Sequence, residues 1–138
     1  MIDRRSFLKI SLLSVTAFPL LHTACSKPDP KLTSTLSLPG TLIQFCDSTT
    51  LHEIGSAYRQ IRPEEDKLET LQKLLLRDSL GNEIKSTSDI QFIQEAIQSQ
   101  VAGDFQNGRT IKINGWIISI TEARQCALFS LSQTSSQD

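Results

Sequence analysis

The feature that most constrains the fold is a set of apolar stripes that repeat every three or four residues between positions 41 and 131. This spacing returns to the same side of an α-helix, so each stripe predicts an amphipathic helix. The stripes cover residues 51–61, 63–78, 89–106 and 122–131. We therefore expect a mainly α fold, a small helical domain of about four helices over residues 41–131, with a short helical turn at 41–46.

Residues 109–119 change from the helical period to two short runs of β-forming residues. Thr110–Ile113 and Trp116–Ser119 predict two strands, and Asn114-Gly115 between them is typical of a type I′ turn. The fold is thus expected to hold one β-hairpin directly before the last helix. The only tryptophan, Trp116, follows the turn. Such a side chain either packs onto the core or anchors a partner interface.

Polar residues mark the predicted starts of the helices. Three hydroxyl side chains are followed three residues later by Glu or Gln, the pattern of a capping box: Thr50 with Glu53, Ser88 with Gln91, and Ser119 with Glu122. Pro63 and the acidic residues 64–66 predict another start. We interpret that acidic run as a solvated first turn rather than as a metal or acid–base site.

Residues 1–24 carry the pattern of an export signal. Two adjacent arginines precede two hydrophobic residues and a lysine. The residues of this motif are Arg4, Arg5, Phe7, Leu8 and Lys9. The apolar run that follows is interrupted by serine, threonine and proline, and it is shorter than the ~20 residues of a membrane span. We interpret the segment as a twin-arginine signal, which directs folded proteins into the bacterial periplasm.

Cys25 lies where the apolar run gives way to a proline-rich stretch. Its position after Ala24 predicts a lipidated N-terminal cysteine, and residues 25–40 are then a lipid-anchor cysteine with a linker that spaces the domain from a membrane. The alternative is a soluble protein that is cleaved nearby, with Cys25 as a free thiol. Residues 132–138 are rich in serine and glutamine and predict a disordered tail.

The remaining composition excludes some function classes and leaves others open. The formal net charge is −1 and no basic patch is present, so nucleic-acid binding is not expected. His52 is the only histidine after residue 24, too few for a histidine–cysteine metal site. Cys46 and Cys126 either form a disulfide in an oxidising compartment or remain as two buried thiols.

Residues 104–108, Trp116 and residues 119–124 follow one another as a helix end, a short hairpin with a tryptophan, and a Thr-Glu-Ala-Arg helix start. With the twin-arginine string, this order resembles the small (gamma) subunits of bacterial membrane-associated flavin dehydrogenases, the gluconate 2-dehydrogenase subunit 3 and sorbitol dehydrogenase small-subunit type. The resemblance covers the signal and residues 41–131. The lipid-type cysteine departs from the family pattern and would suit a tethering role.

The resemblance implies a non-catalytic accessory subunit with no cofactor of its own. Its partner would be a large flavoprotein of the glucose-methanol-choline oxidoreductase type, which carries FAD, oxidises a sugar or polyol, and lacks an export signal. The small subunit would escort it to the twin-arginine translocase. The residues also leave open a stand-alone lipid-anchored interaction domain in the periplasm. A third hypothesis is an enzyme that uses His52 with Glu53, or Cys46 with Cys126.

Overall fold

Five α-helices and one antiparallel β-hairpin make up residues 29–135, which a computed structural model of the chain describes. The helices are α1 (Pro30–Ser37), α2 (Ser48–Ile61), α3 (Leu68–Leu75), α4 (Ile90–Gln106) and α5 (Ile120–Thr134). The strands are β1 (Thr110–Ile113) and β2 (Trp116–Ser119), and single 3-10 turns occupy Leu42–Gln44 and Pro63–Glu65. The predicted class, mainly helical with a hairpin before the last helix, is confirmed.

The last helix, α5, is the axis of the domain. It contacts each of the other four helices and both strands. Its residues 121–123 and 125–128 are all buried, so the first half of the helix is covered on every side. We predicted a helix with one apolar face, but α5 is instead enclosed, and small side chains such as Ala123 and Ala127 let its neighbours approach closely.

Helix α1 corrects the predicted linker of residues 25–40. Asp29 caps the helix, since its side chain accepts a hydrogen bond of 2.9 Å from the backbone N–H of Lys31, and Pro30 occupies the first turn. Leu32 and Leu36 lie one turn apart and are buried in the core. The prolines that suggested a linker therefore include one that begins a helix, and residues 30–37 belong to the domain.

Two of the three predicted capping boxes are wrong, because an aspartate is the cap in each case. Asp47 accepts from the N–H of Thr50 at 2.8 Å and begins α2 at Ser48. Asp89 accepts from the N–H of Gln91 at 2.8 Å and begins α4 at Ile90. The third box is confirmed at α5.

The hairpin has the predicted register and turn. Ile113 pairs with Trp116 and Thr110 pairs with Ser119. Asn114 and Gly115 have φ angles of 52° and 84°, the positive values that a type I′ turn requires. At the other end of the domain, α5 continues to Thr134, so the predicted disordered tail is wrong for residues 132–134, and residues 136–138 lie outside the described part.

No helix within residues 29–135 combines the length and the apolar content that crossing a bilayer requires.

The closest packing in the core joins α2 to α5 at Gly55. A methyl group on Gly55 would overlap the backbone carbonyl of Cys126 and would lie 2.9 Å from the backbone nitrogen of Ala127. These are backbone atoms, which no side-chain rotation can move away. Any larger residue at position 55 must push the two helices apart.

We predict that Gly55→Ala lowers the free energy of unfolding by at least about 2 kcal/mol, because the helices must separate and the surrounding core loses contact. Urea denaturation followed by circular dichroism measures the change. The control is Gly103→Ala in α4, where the nearest outside atom to an added Cβ is 3.9 Å away. The free energy of unfolding of that variant should rise by about 0.5–1 kcal/mol, because alanine has a higher helix propensity than glycine. Equal stability of the two variants would contradict the prediction.

Candidate functional site

The residues of the predicted export signal, Arg4, Arg5, Phe7, Leu8 and Lys9, lie outside the described residues, as does the predicted lipidation site Cys25. They remain sequence predictions. The candidate site residues that the structure does place are Trp116, Cys46 and Cys126.

Trp116 lies on a partly exposed apolar surface at the hairpin. Side chains alternate along a strand, so Trp116 shares the inner face with the buried Ile113 and Ile118, while Ile117 points to the opposite face. Trp116 is 37% exposed at the open end of that face, and Ile117 is 68% exposed. The ring therefore contributes to the inner face and is also partly exposed, and its role as a partner anchor stays a prediction.

Phe105, in the last turn of α4, is a further exposed aromatic residue. The predicted apolar stripe over residues 89–106 includes Phe105 and would place it in the core, but its side chain is 49% exposed. The stripe continues instead through the buried Asp104, which follows Ile97 by seven residues and Ile93 by eleven, close to whole numbers of helical turns. The hairpin patch is the name used here for three exposed apolar side chains: Trp116 on one face of the hairpin, Ile117 on the opposite face, and Phe105 in the last turn of α4.

Asp104 binds the first turn of α5 from inside the core. One carboxylate oxygen accepts hydrogen bonds from the N–H of Thr121 at 2.9 Å and from its hydroxyl at 2.6 Å. The other oxygen accepts from Nε of Arg109 at 2.9 Å. Because the first N–H groups of a helix have no partner within the helix, this carboxylate stabilises the N-terminus of α5. The sequence pattern gave no sign of a buried acid at this position.

Glu65 joins α2, α5 and the turn between α2 and α3 in a buried cluster. Arg124 donates to its two carboxylate oxygens from Nε and Nη2, both at 2.9 Å, and the hydroxyl of Tyr58 donates at 2.8 Å. The predicted solvated acidic turn is therefore wrong at Glu65, which is only 9% exposed. Such a two-pronged arginine–carboxylate pair is the strong kind of ion pair because its geometry is fixed at both ends.

The cluster shifts the titration of its members. Burial acts to raise the pKa of Glu65, but the hydrogen bonds from Arg124 and Tyr58 and the nearby arginine charges outweigh it, so the pKa lies below its ordinary 4.5. Burial and the hydrogen bond to Glu65 raise the pKa of Tyr58 to about 12. At neutral pH the cluster therefore consists of an ionised carboxylate that accepts hydrogen bonds from a guanidinium and from a neutral phenol. These hydrogen bonds join α2, α5 and the turn after α2.

Cys46 and Cys126 are free thiols in the structure. Of the two alternatives for this pair, the structure contains the thiols and not the disulfide. Cys126 is fully buried, and burial, with the charges of Glu122 and Cys46, raises the pKa of its thiol to about 12. Burial and the adjacent Asp47 also raise the pKa of the Cys46 thiol. Since the thiolate is the nucleophile, both cysteines are weakly reactive at neutral pH.

His52 lines an open cavity of about 380 Å³ together with Ser48, Thr49 and the C-terminal end of α5. Within residues 29–135 it has no carboxylate within ion-pair distance, so no acid orients its ring there as a general base requires. The same part of the chain contains no group of three or more His, Cys, Asp or Glu side chains placed to hold a metal ion.

Comparison of the chain with known protein families, with curated proteins and with solved structures gives no match.

The Glu65–Arg124 pair generates a prediction on stability. Arg124→Ala leaves a buried carboxylate without its cation, and we expect the free energy of unfolding to fall by about 3 kcal/mol. Arg62→Ala is the matched control, because its ion pair with Glu64 is 3.8 Å long and exposed on both sides, and its removal should change stability by less than about 1 kcal/mol. Equal losses in urea denaturation would contradict a special role for Arg124.

The same pair predicts how stability depends on pH. Because the folded pKa of Glu65 is depressed, its contribution is present above about pH 4.5 and is lost as the pH falls through the folded pKa. Glu65→Gln has no such titration, so its free energy of unfolding should decline less steeply in acid than that of the unaltered protein. Denaturation curves between neutral pH and pH 3 measure both slopes, and parallel slopes would contradict the assignment.

Proposed function

We propose that this chain is a non-catalytic accessory subunit and export escort of an FAD-dependent dehydrogenase of the glucose-methanol-choline type in the bacterial envelope. The observation that carries the proposal is the twin-arginine string Arg4-Arg5-Ser6-Phe7-Leu8-Lys9, since this signal directs folded proteins across the membrane. A partner without its own signal then crosses with the chain that carries one. The dehydrogenase, which oxidises a sugar or polyol, is the partner that the sequence resemblance implies.

The described domain has properties that suit export in the folded state. Every buried side-chain nitrogen and oxygen atom within residues 29–135 has a hydrogen-bond partner. The core is joined by contacts between residues far apart in sequence, such as Arg124 with Glu65. A domain that is already folded in the cytoplasm has its binding surface formed, so the partner can bind before either protein reaches the translocase.

The hairpin patch is the surface that we assign to the partner. Its three side chains, Phe105, Trp116 and Ile117, are large, apolar and accessible. Aromatic residues of this kind dominate the binding energy of protein interfaces, and Trp is the most enriched among them. Trp116 and Ile117 lie on opposite faces of the short hairpin that the turn at Asn114-Gly115 closes, so the partner would contact both faces of β2.

The segment that would link Cys25 to the domain is shorter than the predicted linker of residues 25–40. Only residues 26–29 separate Cys25 from the first turn of α1 at Pro30. At about 3.5 Å per residue, this spans at most ~15–20 Å. A lipid on Cys25 therefore keeps the domain, and a dehydrogenase docked on it, close to the membrane surface.

Co-expression with the flavoprotein tests the escort role. A glucose-methanol-choline dehydrogenase that lacks a signal should reach the periplasm only when this chain is present, and FAD fluorescence and dehydrogenase activity in the periplasmic fraction measure the transfer. Arg4→Lys combined with Arg5→Lys should leave both proteins in the cytoplasm. Export of the flavoprotein without this chain, or with the altered signal, would contradict the proposal.

Pull-down from detergent extract tests the partner. The unaltered chain should return a yellow FAD-containing protein, whereas recovery of a partner without flavin would favour the stand-alone interaction domain. Trp116→Ser with Ile117→Ser should lower recovery of the flavoprotein at least about tenfold. Leu80→Ser, which removes a side chain that is 85% exposed outside the patch, is the control and should leave recovery unchanged.

A further inference from the structure

A polar cavity of about 350 Å³ lies between the ends of α3 and α4 and the start of α5. Three arginines line it: Arg77, Arg109 and Arg124. Two carboxylates, Asp78 and Asp104, line it as well, so the lining side chains carry one more positive than negative charge. Groups that already have hydrogen-bond partners in the fold are less available to a ligand than groups that have none.

Both carboxylates accept hydrogen bonds from donors of the fold at each of their two oxygens. One oxygen of Asp78 accepts from the backbone N–H groups of Leu80 and Asn82 at 2.9 and 2.8 Å, and the other accepts from the Asn82 side chain at 3.0 Å. Asp104 is held by Thr121 and by Nε of Arg109, as described above. Each carboxylate is therefore held in place by the fold, and neither lies within 4.0 Å of the guanidinium of Arg77.

Arg77 and Arg109 have donors left over. Arg77 gives one hydrogen bond of 2.9 Å, to the carbonyl of Gly81, and has no carboxylate within 4.0 Å among residues 29–135. Arg109 uses only Nε on Asp104, and its side chain is 58% exposed. In the described part of the chain its two terminal nitrogens donate to no acceptor. Arg124, by contrast, is paired with Glu65, which accepts its donors and balances its charge.

We propose that this cavity binds a small oxyanion, a phosphate or carboxylate group, through the terminal guanidinium nitrogens of Arg77 and Arg109. A planar guanidinium presents parallel N–H donors that match two oxygens of such a group, and the resulting charged hydrogen bonds are the strong ones. The cavity volume lies at the lower end of the range of small-molecule sites, which suits a compact ligand. Anion binding here would require neither the side chains of the hairpin patch nor the proposed partner.

Titration of the full chain in detergent with inorganic phosphate, and separately with acetate, tests the site. Calorimetry measures affinity, and ¹⁵N NMR of the arginine side chains reports which of them respond. We expect saturable binding of at least one anion at low ionic strength, shifts at Arg77 and Arg109, and weakening as sodium chloride screens the charges. Saturation by phosphate alone assigns a phosphate ligand, and saturation by acetate as well assigns a general carboxylate or phosphate site.

Substitutions separate the site from adventitious charge. Arg77→Ala and Arg109→Ala should each weaken binding at least about tenfold, whereas Arg62→Ala, which removes an exposed arginine outside the cavity, should not. Arg109→Ala also removes a partner of buried Asp104, so Arg77→Ala is the decisive variant if Arg109→Ala unfolds. Absence of saturable binding by both anions, or binding that survives Arg77→Ala unchanged, would overturn the proposal.

Discussion

The contact between Gly55 of α2 and the backbone of α5 at Cys126 sets the geometry on which the other packing depends. Without a Cβ at position 55 the two helix backbones meet directly, and an added methyl group would overlap the carbonyl of Cys126. This contact sets the distance between α2 and α5. The other helices and the hairpin pack against the remaining sides of α5. Small side chains on α5, Ala123 and Ala127, extend the same principle to the helices around it.

A helix enclosed on all sides would usually be apolar, yet α5 buries several polar residues. Each of them has a defined partner that belongs to another element. Gln125 donates from its side-chain amide to the carbonyls of Leu36 and Leu38, both at 3.1 Å, at the end of α1. Gln100 of α4 does the same for Leu75 at the end of α3, at 2.9 Å. Carbonyls that a helix leaves unpaired at its C-terminus thus accept hydrogen bonds from neighbouring helices, which ties α1 to α5 and α3 to α4.

The elements that the sequence predicted well are those whose signals are local. The hairpin depends on Asn114-Gly115, and the start of α5 depends on Ser119 and Glu122, three residues apart. The elements that it missed depend on distant partners. Glu65 meets Arg124 across 59 residues, and no pattern around Glu65 distinguishes it from its exposed neighbour Glu64. Of the candidate site, the sequence left open whether Trp116 packs onto the core or anchors a partner, and the structure shows a ring that is 37% exposed. The arginines around the polar cavity could not be predicted, because folding alone brings residues 77, 109 and 124 together.

The connection between the hairpin and the central helix has a mechanical consequence. Strand β2 ends at Ser119 and α5 begins at Ile120, with no loop between them, and the carbonyl of Arg109 accepts the N–H of Ile120 at 3.1 Å across the base of the hairpin. The hairpin and the central helix are therefore joined without an intervening segment. A displacement of the hairpin would therefore act directly on the first turn of α5, the helix that contacts all four other helices.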